Sequence, residues 1–151
     1  MKMSRLAALS AAAIALSLSL SACSPTISLE PAADANNPGC ADVIVRLPDA
    51  VDGQERRTTN AQSTAAWGNP ATVILRCGIA PVEISTLPCV TANGVDWIVD
   101  DSAKPSFRFI SFGRTPALEV IVDSENAVGV NALDSLAEAV KSITPSKTCL
   151  G

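Results

Sequence analysis

The sequence predicts an α+β fold: a single small domain with a mainly antiparallel sheet of about five strands, a short helix and a C-terminal helix packed on one face, and two disulfides. Three observations carry this expectation. β-Branched runs at 95–100, 107–112 and 118–123 are joined by connections too short for a crossover helix, which favours antiparallel pairing. Leu133, Leu136, Ala137, Val140 and Ile143 recur at helical spacing. Cys40, Cys77, Cys89 and Cys149 form an even set, as expected of a chain exported to an oxidising compartment.

Taken in order, Lys2 and Arg5 precede an apolar run, Leu6–Leu20, and the small residues Ser21 and Ala22 lead to Cys23. This is the pattern of a secretory signal, and the run falls short of the roughly 20 apolar residues of a membrane span. Leu20-Ser21-Ala22-Cys23 looks like a bacterial lipoprotein box, in which the Cys23 thiol takes a diacylglycerol and becomes the first mature residue. The chain is then expected to be a lipoprotein with palmitate-type acyl chains, held on the extracytoplasmic face of the cell membrane, because two or more such chains anchor firmly. The alternative is ordinary secretion with Cys23 left as a thiol. The expected domains are a signal peptide at 1–22, a lipidated flexible tether at 23–39 rich in Pro, Ala and Asn, and a disulfide-bonded domain at 40–151.

Within that domain Asp42–Leu47 reads as a strand stopped by Pro48, and Val51–Thr59 as a polar loop. Asn60–Trp67, alanine-rich and followed by Gly68 and Pro70, reads as a short helix. Ala71–Arg76 is a near-continuous apolar run and reads as a buried strand. Strands follow at Val95–Asp100, Phe107–Phe112 and Leu118–Asp123, the first after an Asn93-Gly94 turn. The last helix has Asn131 as its expected cap, Lys141 near its C-terminus and Pro145 beyond it. For the disulfides, Cys77–Cys89 would fasten a local excursion and Cys40–Cys149 would join the domain's ends, while crossed pairings stay geometrically open.

Charge and composition exclude several functions. The chain carries 11 basic and 15 acidic residues, and loss of residues 1–22 would take two of the basic ones and none of the acidic. Such an acidic domain is a poor nucleic-acid binder, since that binding rests on phosphate neutralisation. With no histidine and no tyrosine, the commonest general base is missing, and no serine stands three residues before a lysine. The sequence is therefore read as non-enzymatic. Zinc lacks its ligand spacing. Asp96, Asp100 and Asp101 lack the loop pattern of a calcium site, so they read as solvated charge and no metal or cofactor is expected. Trp67 and Trp97 read as core anchors.

Arginines within or beside apolar strands must find a carboxylate, a carbonyl or a ligand anion. Arg76, Arg108 and Arg114 are accordingly the candidate ligand-binding residues, with Arg46 beside them, and structural ion pairs are the competing reading. Arg114 is expected in a tight turn after Gly113, its guanidinium meeting a carboxylate or an open cleft; a catalytic reading would pair it with Asp96. The expected partners are the membrane, through the lipid anchor, and an envelope protein.

Cys40, "VRLP", "AWGNP", "LRCG", "PCV", "VDWIVDD" and "FGRTPALEVIV", with a cysteine just before the terminus, together resemble the actinobacterial lipoproteins and secreted proteins called Domain of Unknown Function 3515. The resemblance spans nearly all of Cys23–Cys149. It implies an actinobacterial envelope location and a disulfide-bearing domain, and it brings no activity with it.

Overall fold

The computed structural model describes residues 25–149; the signal segment and Cys23 lie outside them. The order of elements is α1 (Pro38–Ile44), β1 (Ala50–Val51), β2 (Gln54–Arg57), β3 (Thr64–Trp67), β4 (Val73–Ile79), β5 (Cys89–Ala92), β6 (Val95–Ala103), β7 (Ser106–Ser111), β8 (Ala117–Asp123) and α2 (Gly129–Val140). The strands form one eight-stranded sheet in the order β1-β2-β3-β4-β8-β7-β6-β5, with every neighbouring pair antiparallel. Two four-strand meanders are joined at their last strands, β4 and β8. The connection between the meanders, residues 80–88, carries the chain from the centre of the sheet to its far edge.

One face of the sheet is apolar because period-2 alternation places Val73, Leu75 and Cys77 of β4 beside Leu118, Val120 and Val122 of β8. Trp67 and Trp97 are fully buried on this face, and Trp67 Nε1 donates to the Pro48 carbonyl at 3.2 Å. α2 covers it with Leu133, Leu136, Ala137 and Val140, all buried, and touches α1, β1, β5 and β8. Burial of each leucine contributes roughly 1.5–3 kcal/mol. No helix among the described residues is long and apolar enough to cross a membrane.

The expected strands 71–76, 95–100, 107–112 and 118–123 and the last helix are present, and the sheet has eight strands where about five were expected. Asp42–Leu47 does not form a strand: its first half lies in α1. Asn37 caps that helix, its Oδ1 accepting from Gly39 N at 2.9 Å, and Pro38 takes the first turn, where a missing N–H is no loss. Asn60–Trp67 is not a helix; its last four residues are β3, buried on both faces, where alanine serves close packing between sheet neighbours and its helix propensity is overridden. The polar stretch 51–59 holds the β1–β2 hairpin, turning at Asp52 and Gly53 with φ of 48° and 73°. α2 is capped from outside: Asp52 accepts from Val128 N at 2.6 Å and from Asn131 Nδ2 at 2.8 Å.

The expected flexible tether differs over its described part, which is folded against the domain. Ile27 bridges Thr59, Leu29 N donates to Asn60 Oδ1 at 2.8 Å, and Asp34 N donates to the Gly78 carbonyl at 3.0 Å. Gly78 is the extra residue of a bulge in β4, with φ of 97°, and any Cβ there would overlap the backbone of Asp34.

The disulfides are Cys40–Cys77 and Cys89–Cys149, with Cα separations of 5.6 and 6.0 Å, so the expected Cys77–Cys89 and Cys40–Cys149 pairs are corrected. The reason is topological. β4 and β5 stand four strand steps apart, roughly 19 Å at about 4.8 Å per step, whereas a disulfide needs Cα atoms within about 7 Å.

Non-reducing peptide mapping should recover Cys40 joined to Cys77 and Cys89 to Cys149. Replacing both members of the buried Cys40–Cys77 pair by alanine should lower the unfolding free energy by about 4 kcal/mol, the chain-entropy value for a loop of this length, as read from urea titration. Gly78→Ala should cost at least about 2 kcal/mol, since left-handed strain alone is worth about 1–2 kcal/mol and the Asp34 backbone must also move.

Candidate functional site

The face opposite the helices carries the charged candidates. Glu119, in the middle of β8, is 1 % exposed, which an ionised carboxylate tolerates only when paired. Arg76 lies directly opposite it on β4, and its Nε donates to Glu119 Oε1 at 2.6 Å. Arg108 reaches the same carboxylate from β7, Nε donating to Oε2. The structure thus joins two of the three arginines singled out in the sequence through a residue that the sequence did not single out. Glu119 was legible only as an outward-facing charge on a strand; its partners depend on β8 lying between β4 and β7, which no local pattern reveals.

Both guanidinium groups are partly open to solvent, with side-chain exposures of 36 % and 41 %. Asp100 stands opposite Arg108 on β6. Hydrogen bonds from the Ser102 side chain and backbone amide, and then the charge of Arg108, hold its carboxyl below the ordinary carboxylate range. A cavity of about 160 Å³ next to the cluster is lined by Leu29, Glu30, Ile74, Arg76, Glu119 and Ile121, so its rim carries a further acid.

Arg114 lies apart from the pair. It follows Gly113, whose φ is 69°, as the sequence suggested. Its guanidinium meets neither a carboxylate nor an open cleft: it is 3 % exposed and donates through Nη1 to the Ile143 carbonyl just beyond α2. Burial pushes its pKa below the usual arginine value, opposed by the charge of Asp96. Asp96 itself accepts from Thr91 Oγ1 at 2.5 Å and from Cys149 N at 2.7 Å, so the pairing a catalytic reading required is absent from the hydrogen bonds of both. The three aspartates weighed as a cation site are occupied separately: Asp96 as above, Asp100 with Ser102, and Asp101 with Lys104 at 2.6 Å. Among the described residues no group of three or more His, Cys, Asp or Glu is placed to hold a metal ion.

Sequence reasoning missed the larger concavity, a groove of about 490 Å³ at the β5 end of the sheet. Its apolar wall comes from Ile84 and Leu87 of the crossing connection, Ile98 of β6, Phe112, and the Cys89–Cys149 disulfide. Glu83 and Lys147 form an ion pair at its rim. The C-terminal segment that closes one side passes over Gly113, where a Cβ would overlap Lys147, and Ser146 N donates to the Gly113 carbonyl at 2.7 Å. The available signal was Ile84 and Leu87 in a proline-bounded stretch with no periodicity to bury them.

The buried member of the ion cluster is the carboxylate, so removing its cations should hurt more than removing it. Arg76→Ala combined with Arg108→Ala is expected to destabilise by about 3–5 kcal/mol, the usual penalty for stranding a buried charge. Adding Glu119→Leu to that pair should restore most of the loss. Urea unfolding of the three chains measures both effects.

No curated protein and no solved structure gives a significant match to this chain. A family model described as "Protein of unknown function (DUF3515)" matches residues 4–149, which takes in both helices, all eight strands and all four disulfide cysteines described above. The chain therefore belongs to the DUF3515 family of proteins of unknown function.

Proposed function

We propose that this chain is a bacterial envelope lipoprotein, tethered through an acylated Cys23 to the extracytoplasmic face of the cell membrane, whose domain binds or scaffolds another envelope component without catalysing a reaction. One observation carries the non-catalytic binding reading: each arginine of the described domain makes at least one internal hydrogen bond or ion pair. Arg46 pairs with Asp42, Arg56 donates to the Leu47 carbonyl, Arg57 to the Gly68 and Pro25 carbonyls, Arg76 and Arg108 share Glu119, and Arg114 holds Ile143. A catalytic or anion-binding cleft would keep at least one such group for its ligand.

The second reading, a small-anion binder, draws on the two guanidinium groups that share one carboxylate and so leave a positive charge in excess. Asp100 opposite Arg108 and Glu30 at the cavity rim oppose an added anion, which weighs against it. The anchor rests on the Leu20–Cys23 sequence: two acyl chains, at about 0.8 kcal/mol per buried CH₂, hold a domain at a bilayer where one holds it only marginally.

Cells carrying Cys23→Ser should release the domain to the medium or keep an uncleaved precursor, as seen on fractionation. A mature terminus elsewhere with a free thiol at Cys23 refutes the anchor. Amine crosslinking in intact cells, through the partly exposed Lys104, Lys141 and Lys147, should give a discrete heterologous adduct with the tethered protein. An uncrosslinked protein whose thermal midpoint rises with inorganic phosphate would favour the anion binder instead.

A further inference from the structure

The β5 end of the sheet combines an open backbone edge with the apolar groove. In the β5–β6 ladder, Val99 N donates to the Pro88 carbonyl at 2.8 Å, and bonded and non-bonded pairs alternate along antiparallel strands. Val90–Trp97 and Ala92–Val95 are therefore the bonded pairs of the register, and the amides and carbonyls of Cys89 and Thr91 point away from β6. β5 ends the sheet, and no described residue hydrogen-bonds those outward groups. The edge carries no charged side chain of its own, which is the usual guard against pairing with another chain.

An added strand would send alternate side chains to the two faces of the sheet. On the groove side they would meet Ile84 and Leu87, which are 92 % and 41 % exposed; on the helix side they would cover Val90, 40 % exposed. These three are half of the exposed large apolar residues of the described chain, gathered at one edge. Charge selects the occupant. Of the aspartates in the hairpin Cys89–Ala103, Asp101 pairs with Lys104 and Asp100 faces Arg108, so the selection comes from the chain as a whole, whose formal charge is −4. A second copy would bring two chains of net negative charge together, and such like-charge juxtaposition opposes association.

We infer that β5 is a docking edge for an extended segment of a partner polypeptide, with alternating apolar residues flanked by lysine or arginine, which joins the sheet as a further strand. Main-chain hydrogen bonds to Cys89 and Thr91 would supply affinity, and the groove would supply specificity through alternate side chains. The inference rests on the proposed binding role and gives it a surface and a partner chemistry.

The test uses the full chain as the cell makes it, held in phosphatidylcholine nanodiscs, and blocked peptides of the form Lys-Xaa-Thr-Xaa-Thr-Xaa-Lys with valine, isoleucine, leucine or phenylalanine at Xaa. Members of this series should bind and slow hydrogen exchange at the Cys89 and Thr91 amides. Thr91→Pro, which removes one outward N–H where an edge strand tolerates proline, should weaken binding about tenfold. Ile84→Ser should weaken it severalfold with the thermal midpoint unchanged. Equal affinity for peptides N-methylated at the central units, or protection located elsewhere, overturns strand addition. Protection of the same amides without peptide, together with concentration-dependent dimerisation, assigns the edge to a second copy and overturns the partner. Failure of every member of the series overturns the inference alone, because the crosslinks from Lys104, Lys141 and Lys147 still decide whether the tethered protein has a binding partner.

Discussion

Both terminal segments pass around the same end of the sheet at van der Waals contact, and the rest of the outer face depends on that passage. Residues 25–37 come from the outer face and turn past Gly78 into α1, while the segment after α2 turns the opposite way past Gly113 to reach Cys89. At each crossing a Cβ would occupy the space of the other backbone. Gly39, in the first turn of α1, sits against Pro116 in the turn that follows Gly113, so the crossings share one packed corner. Sheets of this kind commonly leave one face to water. Here Thr64, Ala66, Ile98 and Ile110 are buried on the face that carries no helix, because the terminal segments and the 80–88 connection lie over it.

That cover accounts for the charge arrangement beneath it. A carboxylate on an open sheet face would need no partner, but Glu119 lies under the cover and loses its hydration, so close cations take the place of water. Two arginines answer it from the two neighbouring strands, and their long apolar stems cover the sheet while their heads stay partly in water. The cluster is thus an internal feature of the outer face, with the same origin as the buried isoleucines beside it. The groove is the part of that face which the cover leaves open.

Elements whose signals are local were legible in the sequence. β4, β6, β7 and β8 show β-branched runs between turn residues, and α2 shows an unbroken helical stripe. The misread elements are those where context outweighs propensity. β3 is buried on both faces and so lacks alternation, and α1 has a β-branched body whose fate is set by the Asn37-Pro38 start. The Asp52-Gly53 turn was available as a hairpin signal and was outweighed by the polar residues around it. Disulfide pairing and the Arg76–Glu119–Arg108 cluster required the strand order. Proximity in sequence suggested Cys77 with Cys89, and the crossing connection separates them by the width of four strand steps.

The two disulfides also define how tension would travel through the molecule. A pull on the N-terminal end can peel residues 25–39 from the sheet, but it then reaches Cys40 and passes directly into the central strand at Cys77. A pull on the C-terminal end passes in the same way from Cys149 to Cys89. Between the two ends the covalent path runs from Cys77 to Cys89, so residues 78–88 are the only described stretch between the bonds that could lengthen. The loops closed by each bond, with β1–β3 in one and β6–β8 and α2 in the other, lie off that path. Stretched from its ends, the protein would shed residues 25–39 and then lengthen in the connection that walls the groove, while both meanders kept their length.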